Sequence, residues 1–157
     1  ASLHISEPYI LVYVLKYSFN PYPLVTKIIR QIYQQTRLHV VCIRYSAREK
    51  LGISDATYYN ESISPEDFVY LFKNASYVVT TSFHGTVFGL IFNKPMSVFC
   101  LNDGHDSRYV NLLNSIGASD FLNNIGEPIK VSNVNYEIVN KKLEELKNNS
   151  IEYLKSL

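Results

Sequence analysis

The sequence lacks several features that would assign it to a well-defined class of protein. No apolar run reaches the length needed to cross a bilayer, so we expect no membrane-spanning segment. The net charge is only +1 and the basic residues are scattered, which argues against nucleic acid as a partner. The two cysteines, Cys42 and Cys100, form neither a disulfide framework nor a paired-cysteine metal site. This cysteine usage fits a reducing compartment and favours a cytoplasmic protein.

The composition that remains is typical of one folded domain. A chain of 157 residues, 46% hydrophobic and 18% charged, can build a sizeable core and is not globally disordered. The sequence opens on Ala1 without an initiator methionine and with little structure before Pro8. We therefore expect residues 1–157 to be a single α/β domain cut from a longer protein.

Apolar strand patterns alternate with helical patterns along the chain. Continuous apolar runs predict buried strands over residues 9–16, 38–45, 77–79 and 97–100. Helical spacing predicts helices over residues 23–36, 64–74, 83–92, 108–117 and 136–157. A short strand near 57–59 and a weak strand or extended crossing at 129–131 are also expected. This order predicts a Rossmann-like, doubly wound α/β fold with a mainly parallel sheet and helices on both faces.

The segment from residue 77 to residue 100 is the centre of this pattern. It predicts a strand, a tight turn, a packed helix and a second strand. The turn carries Thr80, Thr81 and Ser82, whose hydroxyls can accept hydrogen bonds from the free N–H groups of the first helical turn. Those N–H groups can bind an anion instead. Since His84 and Gly85 follow at once, the turn is a candidate ligand site at the carboxyl edge of the sheet.

Residues 81–88 read Thr-Ser-Phe-His-Gly-Thr-Val-Phe, and residues 92–95 read Phe-Asn-Lys-Pro. Together with the Ser-Pro-Glu-Asp-Phe of residues 64–68, they resemble the polysaccharide pyruvyl transferase family, over roughly residues 60–117. The resemblance implies a fold like the two-domain GT-B glycosyltransferases, with this chain as the C-terminal half. It also implies a transferase in polysaccharide synthesis that moves a pyruvyl group from phosphoenolpyruvate to sugar hydroxyls, forming a ketal. The acceptor would be a saccharide or a lipid-linked saccharide, in the cytoplasm or at the inner face of the cell membrane.

Under this resemblance His84 is the expected catalytic residue, as a proton donor or as a partner of the phosphate. Ser82, Gly85 and Thr86 are expected to cradle the anion, and Arg108 to balance its charge. Arg108 opens a helix, where the helix dipole disfavours a cation unless an anion is bound. We expect neither a metal nor a cofactor.

The sequence departs from part of the family at Ser82, where some branches have an arginine two residues before the histidine. The missing charge would then come from Arg108, Lys16, Arg44 or the N-terminal half of the protein. Lys94 is excluded, since it lies at the far end of the helix from His84. An isolated C-terminal half is expected to be inactive.

Other interpretations stay open at this point. His84 could be a core histidine that bonds a backbone carbonyl. Asp103-Gly104-His105-Asp106 could bind a metal, although a polar turn explains these residues better. The domain could also belong to a GT-B glycosyltransferase and bind a nucleotide sugar, or be a non-catalytic module that binds a glycan or a protein partner.

Overall fold

The described residues form one parallel six-stranded sheet in the order β3-β2-β1-β4-β5-β6. A computed structural model describes residues 1–15, 20–45, 51–59, 62–100, 107–124, 127–128, 130–131 and 134–157. The strands are β1 (Tyr9–Tyr13), β2 (His39–Ile43), β3 (Thr57–Tyr59), β4 (Tyr77–Thr80), β5 (Met96–Cys100) and β6 (Leu122–Asn124). The helices are α1 (Tyr22–Thr36), α2 (Pro65–Asn74), α3 (Phe83–Ile91), α4 (Ser107–Ser115) and α5 (Tyr136–Ser156), with a 3₁₀ turn at Ser119–Phe121.

Side chains alternate between the two faces of the sheet along each buried strand, and both faces are covered by a buried cluster. Ile10 and Val12 of β1 face a layer formed by α1, whereas Leu11 and Tyr13 face the opposite layer. We call these the α1 layer and the α2–α5 layer. Buried side chains on the helices of the second layer are Leu71, Phe72, Leu90, Tyr109, Leu113 and Val139. The predicted Rossmann-like, doubly wound fold is therefore confirmed.

The helix starts follow from the local sequence. Ser64 caps α2 by accepting a hydrogen bond from the Asp67 N–H at 3.0 Å, and Pro65 occupies the first helical position. The α1 helix ends at Thr36, and the left-handed φ of 56° at the C-cap Arg37 redirects the chain before β2. The expected amphipathic helices and the short strand at Thr57–Tyr59 are thus present.

The structure corrects two strand predictions. The first strand was expected to reach Lys16, but it ends at Tyr13 because side-chain hydrogen bonds replace the ladder beyond that point. The outer strand β6 was not predicted, and Lys130 and Val131, expected in a weak strand or an extended crossing, lie in no strand. Ile129 and the expected loop at residues 101–106 are outside the described residues. None of the described helices has the length and apolar character required to span a bilayer.

Candidate functional site

The candidate site lies where the order of the strands reverses, between β1 and β4. From β1 the chain proceeds outward to β2 and β3, whereas from β4 it proceeds the other way to β5 and β6. Strands β1 and β4 are parallel neighbours, with Tyr13 paired to Thr80 at their carboxyl ends. In open α/β sheets, ligands bind in the crevice at such a switch point. The turn between β4 and α3 therefore borders the place where a ligand is expected.

Two threonines fix this turn to the end of β1. The Thr80 hydroxyl donates a hydrogen bond to the Tyr13 carbonyl at 2.7 Å and accepts one from the Ser82 N–H at 3.0 Å. The Thr81 hydroxyl accepts from the Leu15 N–H at 2.9 Å and donates to the Leu15 carbonyl at 3.0 Å. Thr81 thus binds the backbone after β1 rather than the first helical turn. Because both hydroxyls are buried and paired, the two loops at the switch point are held together.

Ser82 is the N-cap of α3, as expected. Its hydroxyl accepts a hydrogen bond from the Gly85 N–H at 3.3 Å. Its carbonyl accepts two more from Thr86, from the N–H at 2.9 Å and from the hydroxyl at 2.9 Å. All three residues are buried. The three residues expected to cradle an anion therefore bind one another in this structure, and their role toward a ligand stays a prediction.

The N–H groups of Phe83 and His84 are the donors that this cap leaves over. Within the described residues, neither has a hydrogen-bond acceptor. Both belong to the first turn of α3, where the helix dipole favours a negative charge. An anion at this helix end would meet these two N–H groups first.

Gly85 has a packing role that its sequence position did not reveal. A Cβ atom at this residue would clash with the Thr80 hydroxyl and lie 3.2 Å from Cδ1 of Tyr13. The close approach that Gly85 permits is therefore that of α3 to β1 and β4. Gly89, one turn later, similarly admits the Met96 side chain. The glycines set the depth at which α3 sits on the sheet, and through it the position of His84.

His84 is exposed at the N-terminus of α3. Its ring lies 6.0 Å from the Phe83 ring, edge to face with an interplanar angle of 77°. This exposure excludes the interpretation of His84 as a buried core histidine. The imidazole is available to a molecule that approaches the carboxyl edge of the sheet.

Arg108 lies close to the same helix end. It is the second residue of α4, is exposed, and places its guanidinium carbon 4.7 Å from the centroid of the Phe83 ring. No carboxylate pairs with Arg108 within the described part of the chain. Phe83 therefore contacts both predicted functional residues. The apolar pattern of α3 predicted Phe83 to be a core residue. Its position between Ser82 and His84 was the feature of the sequence that could have indicated a role at the site.

The other cations of the sequence analysis lie elsewhere or are not described. Arg44 follows β2, with a φ of 52° and its N–H bonded to the Tyr59 carbonyl at 3.0 Å, and β1 separates that strand from β4. Lys94 follows α3 at the opposite edge of the sheet, next to the start of β5. Lys16 and the Asp103–Asp106 segment are outside the described residues. Among the residues that are described, no group of three or more metal-binding side chains comes together.

A family model described as polysaccharide pyruvyl transferase matches residues 2–103 of this chain. The match includes β1 to β5 and the whole of α3, and it ends before Arg108. No curated protein matches the chain. The matched region therefore contains His84 and its surroundings but not the cation that contacts Phe83.

Solved structures share the fold at low identity. UDP-GlcNAc 2-epimerase from Methanocaldococcus jannaschii is 19% identical with a TM-score of 0.55, and the match covers 91% of this chain and 40% of that one. A co-structure of S. aureus MnaA with UDP is 19% identical with a TM-score of 0.55, and here the match covers 89% and 37%. This chain thus spans about two fifths of the length of these structures. The similarity supports the predicted GT-B-like, Rossmann fold.

Proposed function

Because the chain belongs to the polysaccharide pyruvyl transferase family, we propose that it carries part of a site that transfers a pyruvyl ketal group from phosphoenolpyruvate to a saccharide. The observation that carries this proposal is the exposed His84 at the switch point, with Arg108 held on the adjacent Phe83 ring. A histidine and a cation without a carboxylate partner among the described residues then lie at the same end of α3. The acceptor would be a saccharide or a lipid-linked saccharide in the cytoplasm or at the inner face of the cell membrane.

Two described features of the site, the first turn of α3 and the Arg108 guanidinium, suit an anionic donor. Phosphoenolpyruvate is a small polyanion with a phosphate and a carboxylate. The N–H groups of Phe83 and His84 offer a helix N-terminus to one anionic group. The guanidinium of Arg108 can donate two parallel, charge-assisted hydrogen bonds to two oxygens of a carboxylate or a phosphate. Ser82, Gly85 and Thr86 support this donor site by holding the first turn of α3 in place.

His84 is the proposed proton donor. Ketal formation requires a proton on the methylene carbon of the donor, which leaves an oxocarbenium-like centre at the neighbouring carbon. One sugar hydroxyl adds to that centre, the C–O bond to phosphate breaks, inorganic phosphate leaves and a second hydroxyl adds. Of the two hydroxyl protons, one returns to His84 and the other leaves with the phosphate. Histidine can carry a proton near neutral pH, and it can serve the methylene carbon or the departing phosphate.

A nucleotide sugar is the second candidate donor. It is favoured by the fold shared with the UDP-bound structure of S. aureus MnaA. The same crevice would then bind a diphosphate in a GT-B glycosyltransferase reaction. A third possibility is a non-catalytic module that binds a glycan or a protein partner.

Calorimetric titration of this chain separates these candidates. We expect phosphoenolpyruvate to bind and Arg108→Gln to weaken that binding, whereas UDP-GlcNAc should not compete. Tighter binding of UDP-GlcNAc than of phosphoenolpyruvate would support the glycosyltransferase hypothesis. Binding of a glycan with neither donor would support the non-catalytic module. The complete gene product should in addition release inorganic phosphate from phosphoenolpyruvate only when a suitable acceptor is present.

A further inference from the structure

We propose that Phe83 is a positioning residue, whose ring holds the Arg108 guanidinium beside His84 in readiness for an anionic ligand. This inference rests on the proposed function and deepens it. It assigns a specific task to a side chain that the helical pattern places in the core.

Phe83 is held from two sides. Its backbone begins α3 directly after the Ser82 cap, and the cap bonds to Gly85 and Thr86 fix the direction of that first turn. Its half-buried side chain packs against the α2–α5 layer. Phe83 is therefore a rigid platform rather than a mobile surface ring.

Arg108 needs such a platform. It lies in the first turn of α4, where the helix dipole disfavours a positive charge, and no described carboxylate pairs with it. An arginine in this situation would ordinarily extend into water and sample many rotamers. The contact at 4.7 Å lies well within the roughly 6 Å over which a cation is attracted to an aromatic face. The ring thus supplies the attraction that keeps the guanidinium at the site.

The contact with the ring leaves the N–H donors of the Arg108 guanidinium available to a ligand. An aromatic face attracts the cation without accepting a conventional hydrogen bond, so the five N–H donors at the rim of the guanidinium keep their capacity. A guanidinium placed before the ligand arrives loses less conformational entropy on binding. Phe83 therefore favours capture of a carboxylate or phosphate next to His84, although it does not itself need to touch the ligand.

The geometry is tested first without any ligand, by NMR on this chain. A guanidinium over a ring face should show an upfield ring-current shift of its Arg108 side-chain protons. Phe83→Tyr should keep this shift and Phe83→Leu should remove it. The packing control is Phe92→Leu, since Phe92 is a half-buried aromatic residue at the other end of α3. This substitution should leave the shift in place. An Arg108 side chain without the shift in the wild type overturns the inference.

The effect on binding is tested by titrating the same samples with phosphoenolpyruvate and with inorganic phosphate. We expect Phe83→Leu to weaken binding about 2- to 5-fold, as expected for an exposed cation–π contact, and Phe83→Tyr to restore it. In an Arg108→Gln background, Phe83→Leu should have no further effect on affinity, because the ring then has no guanidinium to position. A purely structural role of Phe83 would persist in that background and would lower the affinity further. Unchanged affinity of Phe83→Leu overturns this inference and leaves the proposed function intact. A wild type that binds neither anion overturns both.

Discussion

At the scale of single residues, His84 is the side chain on which the proposed chemistry depends. In the complete protein, His84→Ala should lower turnover by roughly 10²–10⁴-fold, the usual contribution of a general acid–base group. The midpoint of thermal unfolding should change little, because His84 is exposed. Phosphate release and a thermal melt measure the two quantities, with the exposed His4→Ala as control. Full turnover combined with lost stability would instead make His84 a structural residue.

Asp67 is a buried carboxylate that holds the start of the chain against α2. It accepts hydrogen bonds from the Leu3 N–H at 2.9 Å, the Ser2 N–H at 2.6 Å and the Ser2 hydroxyl at 2.8 Å. The Ser64 hydroxyl donates a further bond at 2.8 Å. The Leu3 hydrogen bond foremost, then those of Ser2 and Ser64, lower the pKa of Asp67 from 3.8 to about 2, against the opposing effect of burial.

This lowered pKa predicts the pH dependence of one part of the stability. Since the folded pKa is below the unfolded one, the contribution of Asp67 is fully present above pH 3.8 and is lost as the pH falls through about 2. Asp67→Asn should therefore lower the melting temperature at neutral pH, and the difference from the wild type should shrink in acid. Thermal melts across this range check the trend, with the exposed Asp120→Asn as control. A difference that stays constant with pH would contradict it.

At the scale of elements, the two glycines of α3 offer a matched pair of substitutions. Both replacements by alanine gain about 1 kcal/mol of helix propensity. A Cβ at Gly85 clashes with the short Thr80 side chain next to the ring of Tyr13, whereas a Cβ at Gly89 meets the flexible thioether of Met96. Gly85→Ala should therefore destabilise the fold by about 1–3 kcal/mol net, while Gly89→Ala should stay within about 1 kcal/mol of the wild type. Denaturant unfolding measures both, and equal effects would contradict the packing argument.

Most elements could be predicted from sequence because their signals are local. The cap and proline at Ser64 and Pro65 specify where α2 begins, and apolar runs identify the central strands. Strand β6 was missed because it has three residues, two of them asparagine, which is a poor strand former. Its place in the sheet comes from pairing with β5, which is tertiary information.

The candidate site was only partly predictable for the same reason. The helix-capping role of Ser82 and the position of His84 at the sheet edge follow from the strand–turn–helix pattern, whereas the pattern left open whether His84 is exposed or buried. The contact of Phe83 with Arg108 joins two helices and residues that are 25 positions apart in the sequence. No local sequence pattern predicts such a contact. Likewise, the Thr81 hydroxyl bonds to the Leu15 backbone, which depends on where β1 ends.

At the scale of the whole molecule, the strand order decides where the site opens. The order β3-β2-β1-β4-β5-β6 places the switch point between β1 and β4, where Leu15 is hydrogen-bonded to Thr81 of the β4–α3 turn. His84 and Arg108 project from two helices on one side of it. The described residues would thus supply one wall of the proposed site, with His84 and Arg108 exposed on it.

A single wall is expected to bind weakly and to catalyse nothing. Ketal transfer requires the sugar hydroxyls to be held opposite the donor and water to be excluded, and active sites of two-domain enzymes usually lie in the cleft between the domains. We therefore predict that the 157-residue chain folds and binds phosphoenolpyruvate weakly, yet releases no phosphate with candidate acceptors. The complete gene product should release it under the same conditions, and its His84→Ala variant should do so roughly 10²–10⁴-fold more slowly. Efficient transfer by the 157-residue chain alone would show that the described wall and its neighbouring loops already form the whole site.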